Sequence, residues 1–210
     1  MELKLIRPFG PSILKVEIPE KIINDLNDYI DQIVIDNEKK SNLNYGEKLA
    51  GDVTQEFKLE KETMTKIGWL QFLGKCVFEW IKKDVSEEIT KFNLIDSWVV
   101  RQFQNEYNPV HWHSGHISGA GFLKLPKSFG NFTQKKTEQS YLGGNLNLIH
   151  GSRQFTSRSV FRIIPKVGDF YFFPNYLMHT VYPFKGTNEE RRSISFNAFI
   201  DDKIYHSYGK

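Results

Sequence analysis

Cysteine is nearly absent from this sequence. Cys76 is the one cysteine among 210 residues, which excludes an internal disulfide framework and a metal site built from thiolates alone. It lies within a helical pattern that offers no neighbour to activate a thiol. We therefore expect Cys76 to be a small, buried, apolar residue.

The chain also lacks long apolar runs and a strong charge of either sign. Its first residues, 1–7, have no apolar core of the kind a signal peptide needs, and no run approaches the ~20 residues of a membrane span. The net charge of +3 is too weak to indicate the basic face that nucleic-acid binding needs. We expect a cytoplasmic protein with neither a membrane nor a nucleic-acid partner, and its oligomeric state stays open.

Aromatic residues, by contrast, are abundant. They make up 14% of the chain, and 17 residues are phenylalanine. Flat side chains pack well on pleated surfaces, so this composition favours a β-rich core. The length favours a single domain, residues 1–210, which is large enough to bury a sizeable core.

The first half of the chain carries two apolar stripes at helical spacing. Residues that recur at three- and four-residue steps share one face of a helix, and Pro19 suits the start of the first helix. The stripes consist of Ile22, Ile23, Leu26, Tyr29, Ile30, Ile33 and Val34, and of Ile67, Leu70, Leu73, Val77, Trp80 and Ile81. We predict that residues 1–92 form a mainly helical support.

The second half changes to short apolar or alternating runs bounded by glycine, proline or polar residues. Six runs lie at residues 98–103, 117–125, 144–149, 161–164, 168–173 and 193–200. Short strands behind two long helices predict a mainly β, α+β fold, a β-sandwich or jelly roll over residues 93–200 with a helical buttress. The polar segment 127–140 is typical of a surface loop, or of a lid over a site.

Three of the six histidines fall within six residues, at His111, His113 and His116. Neutral imidazole is the most frequent protein ligand for a catalytic transition metal. In an extended chain, residues two apart project to the same side, so His111 and His113 can point into one cavity. Pro109 favours an extended residue before it, as in a strand. His116 follows a predicted turn at Ser114-Gly115, and could bind the same metal, lie behind it or face solvent.

A second set of polar residues lies much further along the chain. His179 follows an aromatic run that ends at Pro174, and Arg191 and Ser193 belong to a strictly alternating run. An isolated histidine here is more often a core residue, but together with His-x-His it offers a ligand on another element. Arg191 and Ser193 share one face of their run, where a guanidinium and a hydroxyl can hold a carboxylate. The residues thus indicate a mononuclear metal site beside an anion-binding pair.

These blocks resemble the iron(II)- and 2-oxoglutarate-dependent oxygenases, and more narrowly the small hydroxylases of marine bacteria and their phages. The resemblance rests on the order and spacing of five stretches, at residues 107–113, 117–126, 143–146, 167–174 and 179–197. Together they cover roughly residues 95 to 200.

The resemblance implies a double-stranded β-helix, the cupin-like jelly roll, with iron held on one face of its coordination sphere. His111 would be the first ligand and His179 the last, while Arg191, helped by Ser193, would bind the distal carboxylate of 2-oxoglutarate. The usual third ligand is a carboxylate two residues after the first, and here that residue is His113. The third ligand is then either His113 or, in reserve, His116.

The resemblance also implies an enzyme that uses Fe(II), 2-oxoglutarate and O2, with ascorbate as a further candidate. It would hydroxylate a peptidyl prolyl or other residue, or a small metabolite, and release succinate and CO2. If a phage encodes it, the enzyme would work in the host cytoplasm. Two alternatives stay open: a three-histidine cupin dioxygenase that needs no 2-oxoglutarate, such as a thiol dioxygenase, and a non-catalytic jelly-roll module that binds a small anion or a partner protein.

Overall fold

The computed structural model describes residues 3–6, 10–130, 143–155 and 157–207. Most of the segment for which we weigh a loop against a lid, residues 127–140, lies outside these ranges. The described strands are β1 (Lys4–Ile6), β2 (Ile13–Glu17), β3 (Gln55–Lys58), β4 (Asn93–Gln102), β5 (Asn108–His111), β6 (Ile117–Lys124), β7 (Leu146–Ile149), β8 (Val160–Ile163), β9 (Asp169–Pro174), β10 (Met178–Val181) and β11 (Arg191–Phe199). The described helices are α1 (Glu20–Ile35), α2 (Asn37–Asn42), α3 (Lys61–Ile67), α4 (Trp69–Val85) and α5 (Asp202–Tyr205), with a 3-10 turn at Gly46–Lys48.

The strands form two antiparallel sheets that face each other. The large sheet has the order β1-β2-β9-β6-β11-β4-β3, and the small sheet has the order β5-β10-β7-β8. From β4 onwards the chain passes repeatedly between them: β4, β6, β9 and β11 join the large sheet, while β5, β7, β8 and β10 join the small one. This winding is the double-stranded β-helix, so the predicted jelly-roll fold with a helical buttress is confirmed.

Three strands that the sequence did not predict extend the large sheet at its edges. β1 and β2 continue it beyond β9, and β3 pairs with β4 at the opposite edge. β3 has the sequence Gln-Glu-Phe-Lys, which carries no apolar alternation. Because its strand character comes from pairing with the long β4, local pattern alone cannot reveal it.

The two apolar stripes form the predicted helical layer against the large sheet. α1 follows the first stripe, whereas Gly68, with φ of +85°, divides the second into α3 and α4. The Trp69 ring meets Phe170 of the sheet edge to face, with centroids 5.3 Å apart. Gly119 permits this packing, since a Cβ there would lie 2.7 Å from the Phe170 ring and 2.6 Å from Phe196. The helices therefore cover the outer face of the large sheet.

Cys76 lies on α4 in this helical core and is fully buried. Burial raises the pKa of its thiol to about 12, so the thiol stays protonated, as expected for a packing residue. None of the described helices combines the length and apolar character needed to cross a membrane.

A second apolar core fills the space between the two sheets. Its fully buried members include Ile13, Phe122, Leu148, Phe173 and Leu177. This apolar core fills one part of the space between the sheets. Polar side chains of β5, β10 and β11 line the remaining part.

Candidate metal centre

His111 and His179 are brought together by strand pairing. β5 and β10 are antiparallel neighbours in the small sheet, and these two histidines are direct partners in the ladder, with ring centroids 4.2 Å apart. The Nδ1 atom of His111 lies 2.7 Å from the carbonyl oxygen of Pro109, and that of His179 lies 2.9 Å from the carbonyl of Leu177. A carbonyl can only accept, so each Nδ1 carries the proton and each Nε2 presents a lone pair.

His113 completes the group from just beyond the end of β5. Its Nε2 lies 3.1 Å from the Nε2 of His179, and its ring centroid lies 5.0 Å from that of His111. One ligand nitrogen from each of the three lies within 4.8 Å of the others. Two nitrogens at right angles around a metal, each about 2.1 Å from it, would be about 3.0 Å apart. The spacing of His113 and His179 fits that requirement.

Burial keeps all three imidazoles neutral. Desolvation, reinforced by the neighbouring His111, lowers the pKa of His113 to about 3. Desolvation likewise lowers the pKa of His111, and it lowers that of the almost fully buried His179 far below the ordinary value. Neutral imidazoles are the form that binds a metal ion, so no proton has to be displaced at neutral pH.

Arg191 lies at the start of β11 with its guanidinium inside the jelly roll. Its side chain is 2% exposed, donates from Nε to the carbonyl of Gly144 at 2.9 Å and donates from Nη1 to Ser193 Oγ at 3.0 Å. The adjacent Arg192 points to the helical layer and pairs with Glu190, at 2.6 Å from its Nε. Arg191 makes no such ion pair with any carboxylate in the described part of the chain.

Burying a guanidinium without a carboxylate partner costs folding free energy, because the charged group loses its hydration. Burial lowers the pKa of Arg191 to about 9, which still leaves it protonated at neutral pH. The Phe122 ring lies 5.0 Å from the guanidinium carbon and adds a favourable cation–π contact. The charge of Arg191 is therefore available to an anion that enters the jelly roll.

One cavity of about 160 Å³ connects these groups. It is lined by the three histidines and by Arg191 and Ser193, and also by Lys48, Leu49, Ala50, Trp98, Val100, Asn108, Trp112, Ala120, Leu146, Val181 and Ser195. The structure thus places five of the six residues singled out from sequence around one space.

His116 lies elsewhere. Gly115, with φ of +91°, turns the chain, and the His116 ring stacks on Tyr205 at a centroid distance of 3.9 Å. The backbone N–H of Ile200 donates to its Nδ1 at 3.3 Å, so the imidazole proton is on Nε2, which faces Asp202 at 3.5 Å. His116 belongs to a second group with Asp202 and His206, and the structure does not bring it to the other three histidines.

Glu56 is a buried carboxyl beside the cavity that we did not single out from sequence. It is 1% exposed, and neither carboxyl oxygen has a hydrogen-bond partner. Desolvation, with a smaller contribution from Glu106, raises its pKa to about 7. A Cβ on Gly51 would lie 3.3 Å from this carboxyl and 2.6 Å from the amide of Asn108, which lines the cavity. Because β3 carries no strand pattern, nothing in the sequence marks Glu56.

The comparison with protein families decides the class of this protein. Residues 96–197, the span that contains all six of these histidine, arginine and serine positions, match the family model described as "Putative 2OG-Fe(II) oxygenase". The protein is an oxygenase enzyme, and this span matches the 2OG-Fe(II) oxygenase family. Such an enzyme uses Fe(II), 2-oxoglutarate and O2. The family match therefore favours a 2-oxoglutarate-dependent enzyme over a dioxygenase that needs no 2-oxoglutarate and over a non-catalytic binding module.

Solved structures that resemble this oxygenase share its fold at low sequence identity. A prolyl-4-hydroxylase of Pseudomonas putida is 13% identical, with a TM-score of 0.58 over 88% of this chain and 91% of that one. The viral collagen prolyl hydroxylase of Paramecium Bursaria Chlorella virus-1 is 16% identical, with a TM-score of 0.55 over 90% and 94% of the chains. The prolyl hydroxylase of Trichoplax adhaerens, in complex with a hypoxia inducible factor peptide fragment, is 13% identical, with a TM-score of 0.52 over 94% and 87%. No curated protein matches the oxygenase in sequence.

Proposed function

We propose that His111, His113 and His179 hold the Fe(II) of this oxygenase, and that Arg191 with Ser193 binds the distal carboxylate of 2-oxoglutarate. The observation that carries this proposal is one cavity lined by both groups, the neutral imidazoles and the unpaired guanidinium. The proposed reaction converts a substrate C–H bond, O2 and 2-oxoglutarate into a C–OH bond, succinate and CO2.

The chemistry of the donor set supports a divalent metal at the three histidines. Each of His111 and His179 is locked in the Nδ1–H tautomer by a backbone carbonyl, so its Nε2 needs no reorientation to bind a metal. Three neutral ligands also leave the full positive charge of the metal in place. That charge favours a nearby anionic co-substrate.

Arg191 and Ser193 would orient 2-oxoglutarate from the far side of the cavity. Ser193 accepts a hydrogen bond from Arg191, so its own hydroxyl proton is free to donate to a carboxylate. The carbonyl of Gly144 fixes the guanidinium through Nε, and donors beyond these two bonds remain. When bound, Fe(II) supplies the activation of O2 that is coupled to the decarboxylation of 2-oxoglutarate.

A peptidyl prolyl residue is the first substrate class to test. Prolyl hydroxylases share the fold, and one of them is in complex with a peptide. Trp112 lines the cavity and is 67% exposed, and Val110, Tyr176 and Met178 are further exposed apolar side chains around the β5–β10 pair. Such side chains suit contact with a polypeptide. Other peptidyl residues and small metabolites remain candidate substrates.

The narrower resemblance to the hydroxylases of marine bacteria and their phages stays a prediction.

The experiment is Fe(II)-dependent conversion of 2-oxoglutarate to succinate by the purified chain, with and without proline-containing peptides. Arg191→Met should weaken 2-oxoglutarate binding roughly 10- to 150-fold, because it removes charge-assisted hydrogen bonds that contribute about 1.5–3 kcal/mol to binding. Fe(II) affinity should be unchanged. Arg162→Met, which removes an exposed arginine on β8, is the matched control. Unchanged 2-oxoglutarate affinity in Arg191→Met would remove Arg191 from the proposed site.

A further inference from the structure

His113 differs from the other two histidines of the group in how its backbone is held. His111 and His179 are partners in a sheet ladder, whereas β5 ends at His111 and His113 lies beyond it. A residue outside a ladder lacks the repeated hydrogen bonds that fix a strand. Some other contact must therefore keep the His113 ring against His179.

Asn175, in the turn between β9 and β10, supplies that contact. Its carbonyl accepts a hydrogen bond from the His113 N–H at 3.1 Å, and its side-chain Nδ2 donates to the His113 carbonyl at 3.0 Å. Its own N–H donates to the His116 carbonyl at 3.1 Å. Asn175 thus satisfies both backbone groups of His113. It also holds His116, at the other end of the turn that begins at His113.

Tyr205 fixes the orientation of the Asn175 amide. The Tyr205 hydroxyl donates to Oδ1 of Asn175 at 2.9 Å, which leaves Nδ2 to face His113. The Tyr205 ring is itself held by its stack on His116 at 3.9 Å. The helix that carries Tyr205 begins after Asp201, whose carboxylate accepts from the backbone N–H of Thr90 at 2.7 Å.

We propose that Asn175 is a positioning residue for the metal centre, and that Tyr205 of the C-terminal helix sets its amide. This inference rests on the proposed function, in which His113 is a metal ligand. Residues that hold a ligand in place without touching the metal typically change metal affinity by about 10–100-fold when they are replaced. Tyr205 acts on His113 only through Asn175, so loss of its hydrogen bond should lower metal affinity by a smaller factor.

The test is Co(II) binding to the metal-free full chain, measured by calorimetry and by the visible absorption of bound Co(II). Asn175→Asp keeps the size of the side chain and the acceptor for Tyr205, but places an oxygen against the His113 carbonyl in place of a donor. We expect Co(II) affinity to fall about 10–100-fold and the absorption to change shape. Tyr205→Phe should weaken Co(II) about fivefold, the value of one net hydrogen bond.

Tyr29→Phe provides the matched control. It removes a hydroxyl that donates to Glu60 at 2.7 Å in the helical layer, away from the β5–β10 pair, and should leave Co(II) binding unchanged. Wild-type Co(II) affinity and absorption in both Asn175→Asp and Tyr205→Phe would overturn this inference alone. A wild-type chain that binds no Co(II) would overturn the proposed function and, with it, this inference. If Asn175→Asp fails to fold, Tyr205→Phe still decides the matter.

Discussion

Glu56→Gln should remove a pH-dependent loss of stability from this protein. The Glu56 carboxyl is buried beneath residues 46–51, and neither of its oxygens has a hydrogen-bond partner. Desolvation, followed by repulsion from Glu106, raises its pKa from 4.5 to about 7. Glutamine has nearly the same shape and cannot ionise, so the substitution isolates the effect of the charge.

The magnitude follows from the difference between the two pKa values. Between pH 4.5 and 7 the unfolded chain releases the Glu56 proton while the folded chain retains it, so the free energy of unfolding falls as pH rises. At about 1.36 kcal/mol per pKa unit, the shift from 4.5 to about 7 corresponds to a loss of roughly 3 kcal/mol. The stability is fully present below pH 4.5, and the loss is complete above pH 7.

The assay is urea unfolding of the metal-free wild type and of Glu56→Gln at several pH values from 4.5 to 8. Subtracting the two curves cancels the titrating groups that do not interact with Glu56. We expect the variant to gain roughly 3 kcal/mol relative to the wild type across this range, mostly before pH 7. Glu38→Gln, which replaces an exposed carboxyl side chain on α2, is the matched control. A flat difference for Glu56→Gln would refute the assignment of a buried, neutral carboxyl.

Two further predictions concern the metal group and the packing of the large sheet. Because burial lowers the pKa of His113 to about 3 and holds that of His179 well below its ordinary value, Co(II) should still bind at pH 5.5, where ordinary imidazoles are mostly protonated; loss of binding by calorimetry between pH 7 and pH 5.5 would contradict this. Gly119→Ala places a Cβ 2.6 Å from a ring atom of Phe196, so thermal and urea unfolding should show a loss of about 1–3 kcal/mol. An unchanged midpoint would mean that the ring moves aside without penalty.

Periodicity predicted the elements whose burial follows a regular pattern. The stripe from Ile22 to Val34 became α1, and the alternation after Arg191 became β11. In the structure the same alternation extends to the adjacent arginine, since Arg191 points into the cavity and Arg192 into the helical layer. These features depend only on the spacing of side chains along one element.

Features that depend on pairing between distant elements could not be predicted. Nothing local shows that His111 and His179 are cross-strand partners. The resemblance to a known family implied that both are metal ligands, but not that they pair in a ladder. β3 and its buried Glu56 are defined by pairing with β4. The position of His116 was open because its direction depends on the positive φ of Gly115, which turns the chain so that the N–H of Ile200 meets the imidazole.

Anaerobic addition of 2-oxoglutarate to the Fe(II)-loaded chain tests the central claim most directly. A keto acid that chelates Fe(II) gives a visible charge-transfer absorption, which requires the metal and the co-substrate to share one cavity. The account predicts a saturable band in the wild type, and a band that needs roughly 10- to 150-fold more 2-oxoglutarate in Arg191→Met. A wild-type chain that binds Fe(II) but develops no band at any 2-oxoglutarate concentration would contradict the account.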